Sequence, residues 1–100
     1  MGKYRRSIDE LTITSLSIGN FDGIVDQEAR TITFNVPAHL LGGGQLCGNI
    51  TELEAASNTI IFFAGNQEWP MSLGQEAGIS TGDLVYVEGG VIYTIIVNVI

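Results

Sequence analysis

Positive charge is nearly missing from this chain. Four Lys and Arg stand against eleven Asp and Glu, for a formal net charge of −7. Three of the four, Lys3, Arg5 and Arg6, fall within the first six positions, so beyond them only Arg30 opposes the carboxylates. A surface that grips a phosphate backbone needs clustered Lys and Arg, and an anionic membrane surface needs the same. No nucleic-acid partner is expected. Direct membrane insertion is not expected either, because the apolar residues, 45% of the chain, never run long enough to span a bilayer.

Cysteine is almost as scarce. Cys47 stands alone, so no intrachain disulfide can form. The start, Met-Gly-Lys-Tyr-Arg-Arg-Ser, has basic residues but no apolar run behind them, unlike a secretion signal. Residues 1–9 read as a flexible N-terminal arm or an added boundary, and residues 10–100 as a single domain. Helix-length segments of period 3.6 are absent, and proline is limited to Pro37 and Pro70. The 13 glycines suit a chain of many tight turns.

What is present is alternation. The last ten residues, Val91 to Ile100, are rich in β-branched side chains and are largely apolar on both parities, which places them in the middle of a sheet and predicts filling from both sides. Thr59–Ala64 reads the same way. Arg30–Val36 alternates strictly, with Ile32, Phe34 and Val36 inward, and predicts a half-buried antiparallel strand ended by Pro37. Leu11 and Ile13 alternate, then Leu16 and Ile18 on the opposite parity. The slip near Thr14-Ser15 predicts a bulge or a strand that changes sheets. Ile24-Val25 forms a hairpin with the strand after it through Asp26–Ala29. Trp69 and Met71 beside Pro70 fit an edge strand, and Leu84–Val87 forms a hairpin with the final strand. Residues 38–58 read as loop, with at most one helical turn at Leu40-Leu41 or Glu52–Ala56, and Gly74–Gly82 as connection. The expected fold is an all-β, immunoglobulin-like antiparallel β-sandwich of about seven strands.

Four stretches bear a likeness to a known family: Ile13-Thr-Ser-Leu-Ser-Ile18, Gly23-Ile-Val-Asp26, Thr31-Ile-Thr-Phe-Asn-Val-Pro37, and at the close Gly89-Gly90-Val91-Ile92-Tyr93-Thr94-Ile95-Ile96-Val97. Together they resemble the opening and closing strands of bacterial immunoglobulin-like surface modules. These include domains of unknown function in lipoproteins of gut Bacteroidetes and related cadherin-like β-sandwich repeats. The resemblance covers both ends, well under half the chain, and residues 38–82 depart from the pattern. It implies a non-catalytic module of a larger bacterial secreted or cell-surface protein, acting in spacing, adhesion or assembly. The chain would then be a fragment lacking its signal peptide. Its partners would be neighbouring domains of the same protein and a glycan or protein ligand. No enzyme activity, cofactor or functional residue is implied.

The residues themselves offer few sites. His39 has no second histidine with which to hold a metal, and a surface loop position is expected. Cys47 lacks the base and orienting group a nucleophile needs, so an inert thiol, buried or half-buried, is expected. Asp22, Asp26 and Glu28 place three carboxylates within seven residues, which can bind Ca²⁺, although the spacing is not that of an EF-hand and turns recruit Asp for their own backbone. Trp69 and Tyr86 are candidates for a sugar-stacking platform, with Glu68 and Glu88 nearby to take hydroxyls. That pair carries the alternative function, a carbohydrate-binding module. Against it, a lone sandwich tryptophan is more often a core plug. Tyr93, on the final strand, is expected in the core. Gly42-Gly43-Gly44 lacks the Lys-Ser or Lys-Thr of a phosphate loop. Glu52 and Glu54 read as ordinary solvated carboxylates.

Overall fold

The computed structural model describes residues 10–100. The expected arm or boundary at residues 1–9 lies outside the described residues. Ten strands follow one another: β1 Ile13–Ile18, β2 Phe21–Asp22, β3 Ile24–Asp26, β4 Thr31–Val36, β5 Leu46–Ala55, β6 Thr59–Ala64, β7 Gln67–Ser72, β8 Glu76–Ile79, β9 Leu84–Tyr86 and β10 Ile92–Val99. Among the described residues the one helical piece is a 3-10 turn, Ala38–Leu40. The strands form two sheets, β2-β1-β5-β8 and β3-β4-β10-β9-β6-β7. Their inner faces close on one core, in which Ile13, Leu16, Ile32, Phe34, Ile60, Val85, Tyr93 and Ile95 are fully buried. The all-β sandwich is therefore the fold.

Ten strands replace the expected seven because β2, β5 and β8 carry no alternation long or regular enough to mark a strand. β5 runs through residues assigned to a loop and is the longest strand. It points Leu46 and Ile50 into the core and Cys47, Asn49 and Glu52 outward. Its pairing with β1 slips where Ser17 faces Glu52 but Ile18 faces Ile50, so its inward positions change parity midway and no single alternation spans it. β8, read as connection, buries Ala77 and Ile79 beside solvent-facing Glu76 and Gly78. The two residues of β2 are too few to show a period.

The sheet is also not wholly antiparallel. β10 lies antiparallel to β9 but parallel to β4, from Thr94 opposite Thr31 to Val99 opposite Val36. Strand β4 is thus antiparallel only toward β3. β10 is central, as expected, but it is filled from one side alone. Tyr93 and Ile95 are fully buried, whereas Ile92 on the other face is 54% exposed. Ile61 and Phe63 of β6 are likewise only half-buried. Two layers cover one face of each sheet, and no described element forms a third layer over the outer face of β10 and β6.

The chain changes sheets at Gly23. Phe21-Asp22 pairs with β1, Ile24–Asp26 pairs with β4, and the Gly23 N–H donates to the Leu16 carbonyl at 2.8 Å. A Cβ at Gly23 would stand 2.6 Å from that carbonyl oxygen, 2.7 Å from Ile32 and 2.9 Å from Phe34. Only glycine lets the backbone cross there. The slip near Thr14-Ser15 is the bulge alternative: pairing with β5 shifts between Ile13 and Ser15 while β1 stays in its sheet.

At the bulge a polar ring ties the sheets together. The Ile13 N–H donates to the Tyr93 hydroxyl at 3.1 Å, that hydroxyl donates to Gln27 Oε1 at 2.6 Å, and Gln27 Nε2 donates to the Ile13 carbonyl at 2.7 Å. Tyr93 is in the core as expected, and its buried oxygen is fully partnered.

Candidate functional site

The two edge strands β7 and β8 lie at the same side of the sandwich, joined by the turn after Ser72. Between them opens a groove of about 470 Å³, lined by Trp69, Met71, Phe62, Ala77, Ser80 and Asp83. Register explains how Trp69 reaches it. Trp69 faces Phe62 across the β6–β7 ladder, and Phe62 faces Val85 across the β6–β9 ladder. Directly opposed residues share a face, so Trp69 belongs to the inner face with buried Phe62 and Val85. Among the described residues no strand lies beyond β7, and Trp69 is 41% exposed. It is neither a core plug nor wholly outside: the indole walls an open cleft. Small side chains at Ala64, Ala77 and Gly78 leave the space.

The polar groups of the groove are held by local turns. Asp83 Oδ2 accepts the Ser80 N–H at 3.0 Å, and the Asp83 carbonyl accepts the Ile95 N–H at 2.8 Å. That carboxylate is anchored to the central strand, and its second oxygen is available to a ligand. Gln45 stands at the rim. An added Cβ at Gly78 would lie 3.3 Å from the Gln45 side chain, so the amide rests over a residue that has no side chain of its own.

Tyr86 is not part of this groove. It faces Ile61, which faces Pro70, on the opposite, outer side of the same sheet. The proposed joint platform of Trp69 and Tyr86 is therefore corrected: two positions that differ by one register step point to opposite faces of a pleated sheet. Tyr86 instead donates its hydroxyl to Glu68 Oε2 at 2.5 Å. The hydrogen bond to Glu68, then desolvation and the charges of Glu68 and Glu88, raise its pKa above the ordinary phenol value.

The calcium candidates are not gathered. Asp22 lies in the four-stranded sheet and accepts the Ser17 hydroxyl at 2.8 Å, a hydroxyl that also stands 3.1 Å from Glu52 Oε1. Asp26 ends β3 in the other sheet, and its Oδ1 accepts the N–H groups of Glu28 and Ala29 at 3.0 and 2.9 Å. The crossing at Gly23 separates them, and Asp26 serves its own turn. Among the described residues no three His, Cys, Asp or Glu side chains come together as a metal site. Glu52 is exposed, as expected, and its Oε1 also meets the hydroxyl of Ser17, buried beneath it.

Cys47 is exposed, which corrects the expected buried or half-buried thiol. It lies on the outward parity of β5, opposite Gly78, with its Sγ 3.6 Å from Gln45 Oε1. His39 is in the exposed 3-10 turn, as a surface histidine was expected to be. Sequence reasoning missed Asp83, Ser80 and Gln45 as groove residues. The only signal was the small pair Ala77-Gly78, which predicts room beside an aromatic once β8 is seen as a strand.

Compared with protein-family models, curated proteins and solved structures, the chain shows no match.

Proposed function

We propose that this chain is a non-catalytic, immunoglobulin-like module of a larger bacterial secreted or cell-surface protein, serving in spacing, adhesion or assembly beside neighbouring domains. One observation carries the reading. β1 and β10 run in the same direction through the sandwich. Val91, just before β10, donates its N–H to the Leu11 carbonyl, just before β1, at 3.0 Å. From there β10 crosses the whole sheet and ends beside Val36, where the Ile100 N–H donates to the Val36 carbonyl at 3.1 Å. The backbone thus enters at one pole and leaves at the other. Such threading lets domains joined end to end each add their length to a rod.

The likeness of Ile13–Ile18, Thr31–Pro37 and Gly89–Val97 to surface-module strands supports the bacterial and extracellular part of the proposal. These stretches are β1, β4 and the β9–β10 return, the frame of both sheets. The test is protease shaving of intact producing cells, followed by mass spectrometry of released and retained fractions. Peptides of this chain are expected among those released or in the medium. Recovery only from the soluble interior of washed cells would overturn the assignment.

A further inference from the structure

We propose that the groove between β7 and β8 binds a neutral saccharide, with the indole of Trp69 as the stacking surface and Asp83, Ser80 and Gln45 as hydroxyl partners. This goes beyond the module reading and stands without it.

Three observations select the ligand. The first is shape: a cleft of about 470 Å³ falls within the range of roughly 300–1,000 Å³ that small-ligand sites span. Its large aromatic wall is half-open rather than packed over. A sugar ring presents a flat apolar C–H face to such a surface. The second is polarity. Asp83 supplies an acceptor, Gln45 supplies an amide donor and an acceptor, and Ser80 supplies a hydroxyl that does both. Hydroxyl groups, which donate and accept at once, match that mixture. The third is charge. Among the described residues no Lys, Arg or His lines the groove, Asp83 brings a carboxylate, and the whole chain carries −7. Phosphorylated, sulfated and uronic-acid ligands would be repelled.

The scaffold holds these groups in place. Asp83 is fixed from two directions, by the Ser80 N–H and through its own backbone to Ile95 of the central strand. Pro70, next to Trp69, removes a backbone donor from the edge strand and stiffens it. Trp69 is the chain's only tryptophan, so its emission reports on this groove alone.

The experiment is titration of the folded chain with neutral oligosaccharides of glucose, xylose, mannose and galactose, read by tryptophan emission and by amide NMR shifts. Sulfated and uronic-acid oligosaccharides and tetramethylammonium form the other arms. At least one neutral sugar is expected to shift Trp69 emission saturably and to move the amides of Ser80 and Asp83. Trp69→Ala is expected to weaken that binding about tenfold or more, read by NMR, and Asp83→Asn to weaken it without changing the emission of the free protein. Tyr86→Phe, on the opposite face, leaves it unchanged. Should Trp69→Ala fold poorly, Trp69→Phe keeps an aromatic face, and partial retention of binding is expected. A response to none of the neutral sugars, a response confined to the anionic or the ammonium arm, or undiminished binding by well-folded Trp69→Ala overturns the proposal.

Discussion

Tyr93 shows how much one polar atom can decide. Its ring fills the core with 0% exposure, while its oxygen accepts from Ile13 and donates to Gln27. Removing the oxygen leaves the buried Ile13 N–H without an acceptor and takes the donor from the part-buried Gln27 Oε1. Tyr93→Phe is expected to cost about 1–3 kcal/mol, measured by urea unfolding with unchanged m-value. A cost near zero would show that the ring of hydrogen bonds is replaceable. Tyr86 makes a contrasting case at the surface. Its hydroxyl donates to a carboxylate, so ionising it means losing that bond beside negative charge. Its folded pKa lies above the ordinary value, so whatever stability the bond contributes is present at neutral pH and is lost as pH rises through that folded value. An ultraviolet difference titration, with Tyr86→Phe to assign the transition, is expected to show Tyr86 ionising later than a free phenol, and Glu68→Gln is expected to move it back down.

At the scale of strands, legibility followed regularity of period. Arg30–Val36 was plain because one alternation runs its whole length, and Ile32, Phe34 and Val36 all reach the core. The β6–β7 hairpin closes through Gly65 and Asn66, which adopt positive φ, 58° and 64°, as a two-residue turn requires. β5 was hidden because its parity changes between Ile50 and Leu53 and because Glu-Leu-Glu-Ala-Ala imitates a helix. The two-sided apolar runs of β6 and β10 were misread for another reason: hydrophobicity on both faces does not show that both are covered. The groove was half legible. Trp69 was singled out from its neighbours Glu68 and Pro70, but its face could not be known until register placed it with Phe62 rather than Tyr86. Two outcomes belong to this scale. Amide hydrogen exchange of core-pointing Leu46 and Ile50 is expected to be as slow as that of β10, because β5 is paired along its length, Leu46–Asn49 with β8 and Ile50–Ala55 with β1; loop-like rates would refute the strand. Gly23→Ala is expected to destabilise by about 1–3 kcal/mol, read as a lowered denaturant midpoint, because the carbonyl of Leu16 and the side chains of Ile32 and Phe34 leave no volume for a methyl group.

The whole molecule is two sheets sharing one core, threaded from pole to pole. The parallel pairing of β4 with β10 is what makes the threading possible, since the last strand can then run alongside β4 and finish where β4 finishes. An ending antiparallel to β4 would have returned the chain to the pole it entered by. The same arrangement leaves one side of the sandwich open between β7 and β8, and there the groove walled by Trp69 lies. The proposed spacing role and the proposed saccharide site would then occupy different parts of one frame, the poles and the flank.

The most direct measurement is a distance across that frame. With exposed Cys47 replaced by serine, spin labels are placed at Leu11 and Ile100 and their separation is read by pulsed dipolar spectroscopy. Leu11 is hydrogen-bonded to Val91, and the run from there to Ile100 is extended, so the strand rise sets the separation at about 30 Å. A narrow distribution near that value is the predicted result. A separation well under half of it would place both ends at one pole and contradict the end-to-end module.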